Sequence, residues 1–458
     1  MIWRICNISP QQYNSSKSKI NIRILVMGGQ IGDSSKPLLV PVGEKRNPGE
    51  VRANSAWSVF ATTFKATVGS GFIALPYAIE AAGLVGGAVM IILVWLCTSI
   101  TTKQLVMCSS IVNQKDPSIL ARKVDYGAIG YSAYGQKGRL VCILPVLITQ
   151  FIAGVSFLVF IESTFDPLIS QSYSPFFVMG VVICIQLALA MAPDPGFMVP
   201  IANIGNLAFF AAIGFAFYYG MAVNPPSLEN VKLFQPLSGL MICFGIACYT
   251  FSAHSQAVSI YGTAGPKAKS SYLCTIDVVL IISAFVYLAF AVFNYLCYGS
   301  DTSAIIFDNL GNGMTNQTIK ISLALMLMTN FPISVYPVHQ SLELALGLVD
   351  PTGSISTAEA MLSTTLNVKQ VVARLVIIIS QGLVALLASN SFGPLVALQG
   401  GFNGIMAFVN PPIMHMALCG GWANWGWQNR ITGLFLVVLG LVGSLGALKD
   451  AAAELLGK

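Results

Sequence analysis

The sequence predicts an all-α membrane protein of eleven transmembrane helices, the first and sixth of them interrupted. Three observations predict it. Mean hydropathy is +0.73 and only 9% of the 458 residues are charged, far below the roughly 25% of a soluble chain. Eleven apolar runs, each of about 17 to 28 residues, match what about 30 Å of hydrocarbon requires of a helix. Two of these runs carry breaks about 180 positions apart, each in the first of a set of five spans.

Residues 1–56 are polar and are expected to form a flexible cytoplasmic tail. Residues 57–448 hold the spans: Trp57 to Ala82, Leu84 to Ser110, Arg139 to Ser163, Pro175 to Ala192, Met198 to Met221, Pro236 to Tyr261, Tyr272 to Tyr298, Ile319 to Leu346, Val371 to Ser389, Phe392 to Leu418 and Ile431 to Ala447. Residues 449–458 are expected as a short tail outside or in a lumen. Sixteen Lys and Arg fall in the tail and in the connections after even-numbered spans, against Lys232, Lys320, Lys449 and Lys458 in the others. The positive-inside rule therefore puts the N-terminus in the cytoplasm and the C-terminus outside or in a lumen. Asn316-Gln317-Thr318 is a glycosylation sequon in a connection the charge count independently puts outside.

The basic residues are dispersed, with no aromatic-interleaved patch, so nucleic acid is not expected as a partner. The ten cysteines lie mostly in apolar runs, without CxxC or zinc-ligand spacing, and read as small hydrophobes. No metal or cofactor site is expected. No nucleophile elbow, phosphate loop or paired carboxylates occur within the spans, which leaves an intramembrane enzyme unsupported.

The first break is Lys65-Ala-Thr67-Val-Gly69-Ser70-Gly71, followed by Leu75-Pro76. Broken backbone at membrane depth is tolerated only where the freed groups face protein, water or a ligand. The second is Tyr249-Thr250-Phe251-Ser252-Ala253-His254-Ser255. Corresponding interruptions in two halves point to a substrate site at the midplane between inverted repeats.

The first break, with its Lys four residues before Gly-Ser-Gly and its later Leu75-Pro76 and Ala82-Gly83, resembles the amino acid/auxin permease family, in its proton-coupled and vacuolar branches. Tyr249, Phe251, Ala253, His254 and Ser255 match that family's sixth span. Tyr336-Pro337 with Glu343, and Gly400-Gly401 through Pro411-Pro412, match its remaining landmarks. The resemblance covers Asn54 to Leu448. It implies a leucine-transporter-like five-plus-five inverted repeat with one extra helix, and symport of amino acids with protons or, in some members, sodium. Some members pair cysteines in outer connections, but only Cys297 lies near the outside here, so no such disulfide is expected.

A zwitterionic amino acid in a low-dielectric site needs partners for both charges. The N–H groups of Gly69, Ser70 and Gly71, beside Thr67, suit the carboxylate, and unwound carbonyls around Tyr249, Thr250, Phe251 and Ser252 suit the ammonium. Phe251 reads equally as a gate or as core. The competing reading of Gly69 and Gly71 is close helix packing. Lys65 has two open placements: snorkelling to the cytosolic interface, or facing Thr329, Asn330 and Ser334 of the eighth span, where related folds hold a coupling sodium. His254 is a proton-coupling candidate because it sits beside a break; His339 and His415 are read as structural.

The expected function is a secondary active amino acid transporter, proton-coupled, acting as a monomer by alternating access in the plasma membrane or a vacuolar or lysosomal membrane. The alternatives are an amino acid sensor of the same fold, a sodium-coupled transporter and, least favoured, a channel.

Overall fold

The computed structural model describes residues 56–457 except 68, 116–125, 170–173, 192–198, 312, 347–366 and 390. The expected N-terminal tail therefore lies outside the described residues, apart from Ala56. The described chain is helical almost throughout. It runs through α1 (Ala56–Thr67), a 3-10 turn (Ser70–Ala74), α2 (Leu75–Ala82), α3 (Leu84–Lys115), α4 (Tyr126–Ile169), α5 (Pro175–Ala190), α6 (Val199–Val223), α7 (Leu237–Thr250), α8 (His254–Thr263) and α9 (Pro266–Tyr298). There follow α10 (Met314–Ala345), α11 (Val368–Leu387), α12 (Phe392–Gly404), a π-helical turn (Ile405–Val409), α13 (Asn410–Leu418) and α14 (Trp427–Leu455).

Among the described residues, eight helices are long and apolar enough to cross a membrane, or nine if the bent α1–α2 pair counts as one span. Two further apolar helices, Phe176–Ala190 and Leu207–Val223, are shorter. Every expected span falls on a helix, with shifted ends. The third begins at Tyr126 but is interrupted at Gly135, whose φ of 65° suits glycine, which leaves Arg139 close to the true start of the straight segment. The last continues to Leu455, so most of the stretch expected as a C-terminal tail is helix.

Two tiers of packing organise the spans. Helices in the same place of each set of five lie together: α3 on α9, α4 on α10 and α5 on α11. Each set holds five spans, an odd number, so the second set enters from the opposite face and the repeat is inverted. This is the five-plus-five architecture expected from the sequence. A second tier joins α2, α7, α12 and α14. Gly245 and Gly400 let α7 and α12 meet backbone to backbone: a Cβ on Gly400 would overlap the Gly245 carbonyl, and one on Gly245 would overlap that of Ala397.

Polar contacts gather toward the two ends of the helices. At one end Lys115 donates to Leu418 O (2.9 Å), and a buried ion pair joins Arg374 Nε to Glu343 Oε1 (2.7 Å). There Arg374 also donates to Ala190 O and Gln370 to Glu343. At the other end Leu84 N donates to Lys232 O, Tyr77 to Glu454 (2.6 Å) and Lys320 to Asp308. We call the first the Lys-rich end.

Asn316 belongs to the second end, but its side chain is only 3% exposed. Its amide donates to the carbonyls of Phe307 (2.8 Å) and Gly311 (2.7 Å), fastening the 3-10 turn Ile306–Asn309 to the start of α10. Both amide hydrogens are spent on these carbonyls, so a glycan at Asn316 would have to displace both bonds. The buried or half-buried cysteines of the spans carry free thiols among the described residues.

Candidate substrate site at two broken helices

The first break follows from local chemistry. Thr63 and Thr67 return their hydroxyls to carbonyls four residues back, at 2.7 and 3.0 Å, and α1 stops at Thr67. Gly69 is extended, with φ −120° and ψ −176°. A 3-10 turn over Ser70–Ala74 then leads into α2, where Pro76 stands in the first turn, the one place a missing N–H costs a helix nothing. The two halves are bent by 44°. The freed carbonyl of Thr67 accepts a hydrogen bond from Tyr287 of α9 at 2.9 Å.

The second break has another cause. Between Thr250 and His254 there is neither glycine nor proline, and the backbone leaves helical geometry because α12 supplies a substitute partner. Asn403 Nδ2 donates to Cys248 O at 2.6 Å, and Ser252 Oγ donates to Asn403 Oδ1 at 2.9 Å. Thr250 returns its hydroxyl to Ile246 O. Phe251 is fully buried, its ring edge-to-face with Tyr287 and the centroids 5.6 Å apart.

The breaks touch. Ser70 Oγ and Tyr249 Oη are 2.9 Å apart. Gly71 lies so close to Thr250 that an added Cβ would stand 2.5 Å from Thr250 Oγ1, 2.9 Å from Tyr249 Cδ1 and 3.0 Å from Thr250 Cα. Gly69 has no such neighbour within 4 Å. Thr67, Gly69, Ser70, Gly71 and Tyr249 through Ser252 thus form one polar junction inside an apolar bundle. On its Lys-rich side opens a cavity of about 20 Å³, lined by Thr149, Gln150, Ser252, Ser255, Gln256, Val146 and Met406. That is room for about one water molecule.

The coupling candidates are dispersed. His254 Nε2 is 2.9 Å from Thr101 Oγ1 of α3, while its Nδ1 is buried with no hydrogen-bond partner among the described residues. Lys65 is half-buried on α1, whose main packing is against α8 and α9, with Phe64 stacked on Phe210 of α6. Thr329, Asn330 and Ser334 lie on α10, which packs on α4, α5, α6 and α11. Lys65 and the α10 trio therefore sit on helices that share no extended interface here. Around the trio, Pro332 and Pro337 withhold the donors that Met328 O and Ile333 O would otherwise receive.

Three polar groups escaped the sequence reading. Asn403 and Gln399 were hidden in a glycine-rich apolar run. Lys103 stands within the second apolar span, where a lysine is itself a signal. It pairs with Asp277 of α9 (2.8 Å), which also accepts from Ser99.

The two touching breaks place a polar junction inside an inverted five-plus-five bundle of apolar helices. Residues 52–450 match the family described as transmembrane amino acid transporter protein, and the chain belongs to that family, one of transporters and not of enzymes. Amino acid transporter ANT1 of Arabidopsis thaliana is 24% identical over 430 residues, covering 90% of this chain and 95% of that protein. Amino acid transporter AVT3C of the same plant is 24% identical over 416 residues, covering 85% and 88%. Among solved structures, MhsT in complex with L-phenylalanine superposes with a TM-score of 0.47 at 11% identity, covering 87% of this chain and 98% of that one.

Proposed function

We propose that this protein carries a zwitterionic amino acid across its membrane by alternating access, driven by a proton, and that the substrate sits where the two breaks meet. The observation that carries this reading is the Ser70–Tyr249 contact between the broken helices. The first groups of a helical turn have unpaired N–H donors and the last groups of a helix have unpaired carbonyls. The turn starting at Ser70 therefore presents donors to a carboxylate, and the end of α7 presents acceptors to an ammonium. The Lys-rich end is the cytoplasmic end.

Coupling is assigned to Lys65, one turn before the break. Swinging α1 toward α10 would bring its ammonium to Thr329, Asn330 and Ser334, where a fixed or titrating charge makes sodium unnecessary. One charge moved across the full membrane potential is worth about 2.3 kcal/mol per 100 mV, enough to concentrate a substrate several-tens-fold.

Labelled amino acid uptake into proteoliposomes, across a matrix of pH and sodium gradients, tests both parts. The expected result is uptake driven by an inward proton gradient without sodium, with Lys65→Met keeping exchange and losing accumulation. Uptake that needs sodium, together with a Lys65→Met variant like wild type, would assign coupling to the α10 trio. Saturable binding without turnover would make the protein a sensor.

A further inference from the structure

Gln399 occupies an unusual position. It lies on α12 one helical turn before Asn403, its side chain is fully buried, and neither Nε2 nor Oε1 has a hydrogen-bond partner among the described residues. The amide lies against the Tyr249 hydroxyl and interacts with it, without reaching full hydrogen-bond geometry. Its helix packs both on α7 and on the 3-10 turn of the first break. Asn403 is consumed by Cys248 O and Ser252 Oγ and so belongs to the scaffold. Gln399 is not consumed in this way: a buried primary amide can make about four hydrogen bonds, and beyond its contact with the Tyr249 hydroxyl the amide, its carbonyl oxygen above all, has none of good geometry, which is costly.

The backbone groups of the two breaks are matched to the carboxylate and ammonium common to all amino acids, so they cannot tell one from another. Gln399 borders the same junction and offers a donor and an acceptor side by side. We propose that Gln399 reads the substrate's side chain, and that the site selects small amino acids whose side chains both donate and accept hydrogen bonds, amides first and hydroxyls next. This rests on the amino acid site proposed above. A ligand primary amide would complete a reciprocal pair of bonds with Gln399. An apolar side chain of equal size would seal both amide atoms in unpaired, the arrangement by which binding sites reject analogues lacking a polar group.

The test compares near-isosteres: L-glutamine against L-methionine, and L-asparagine against L-leucine. Two readouts on the purified protein, thermal stabilisation by each ligand and competition against labelled uptake, report binding with and without turnover. Wild type should prefer the amide of each pair by about tenfold or more. Gln399→Leu should erase or invert that preference while still binding amino acids, and Gln399→Met, closer in shape, serves if the leucine variant fails to fold. Equal response of wild type to glutamine and methionine overturns the proposal, as does an unchanged ratio in either variant, which would mean that water satisfies the amide. If no amino acid stabilises or competes in wild type, the underlying site falls too; a wild type that takes up amino acids without the predicted ratio sinks only the role of Gln399.

Discussion

Gly71 is where the structure makes its sharpest demand on a single atom. Replacing it with alanine puts a methyl 2.5 Å from Thr250 Oγ1 and 3.0 Å from Thr250 Cα. The hydroxyl cannot rotate away freely, because it donates to Ile246 O at 2.8 Å; giving up that bond costs about 1 kcal/mol. The backbone of Thr250 cannot move without shifting the end of α7, which Asn403 fixes. Overpacking of this kind costs about 1 to 3 kcal/mol, and if the touching breaks are the substrate-bound arrangement, affinity falls by about 5- to 150-fold. Gly69→Ala, with open space around its Cβ position, should fold as wild type and lose far less. The Gly71→Ala/Thr250→Ala double variant should recover only part of the loss, since the new methyl would still press on the backbone at position 250; Gly71→Val should abolish binding. The assay is concentration-dependent uptake in proteoliposomes beside melting temperature in detergent. Wild-type affinity and stability in Gly71→Ala, or equal damage from Gly69→Ala, would refute the reasoning.

Asn403→Ala removes both bonds that hold the second break open and strands Cys248 O, so the melting temperature should fall by the equivalent of about 1 to 3 kcal/mol and uptake should fall further; unaltered melting would deny Asn403 its scaffold role. Truncating one member of the buried Glu343–Arg374 pair (side chains 5% and 3% exposed) should destabilise by about 3 to 5 kcal/mol, whereas the double replacement Glu343→Met/Arg374→Met should be nearer neutral, a contrast readable by thermal melting of all three variants. Asn316 should carry no glycan in a eukaryotic host, and Asn316→Ala should lower stability by about 1 to 3 kcal/mol; an endoglycosidase-sensitive band that vanishes in Asn316→Gln would show the reverse.

The first break was legible because its causes are local: Gly69, Gly71 and Pro76 each disfavour continuous helix by their own geometry. The position of the second was legible from a polar cluster in an apolar run, but its cause was not. Nothing in Phe251–Ala253 breaks a helix alone; the partner is Asn403, about 150 residues away, and only folding brings it there. For the same reason nothing local sets Gln399 apart: it is one polar residue beside Gly400-Gly401 in an apolar run. Asn316 shows the opposite relation: its sequon is a three-residue local signal, whereas the burial that occupies its amide is set by the turn at Ile306–Asn309. The Lys65 placement stayed open because rotation of α1 about its axis depends on which helices it meets.

The two breaks differ in what they allow to move. The α7–α12 packing is backbone on backbone at Gly245 and Gly400, and α12 also holds the unwound carbonyl of Cys248 and the hydroxyl of Ser252. Close packing without intervening side chains leaves no soft layer for sliding, so α7, α12 and the rim of the second break should travel as one body, with α2 and α14 packed beside them. At the Lys-rich end α8 is tied elsewhere, through His254 to Thr101 of α3, and α3 through Lys103 to Asp277 of α9. α1 is the lighter member: it meets α8 and α9, and one hydrogen bond from Tyr287 fixes its final carbonyl. Its link to α2 runs through an extended glycine. Opening toward the Lys-rich end is therefore easiest by rotating α1 about Gly69, which breaks the Tyr287 bond while the turn at Ser70 stays with α2 and Asn403 still holds the second break. In the site proposed above, the carboxylate donors at Ser70–Gly71 and the ammonium acceptors at the end of α7 would both stay with the α2–α7–α12 body, so release would begin with the path that α1 opens and not with the loss of either partner.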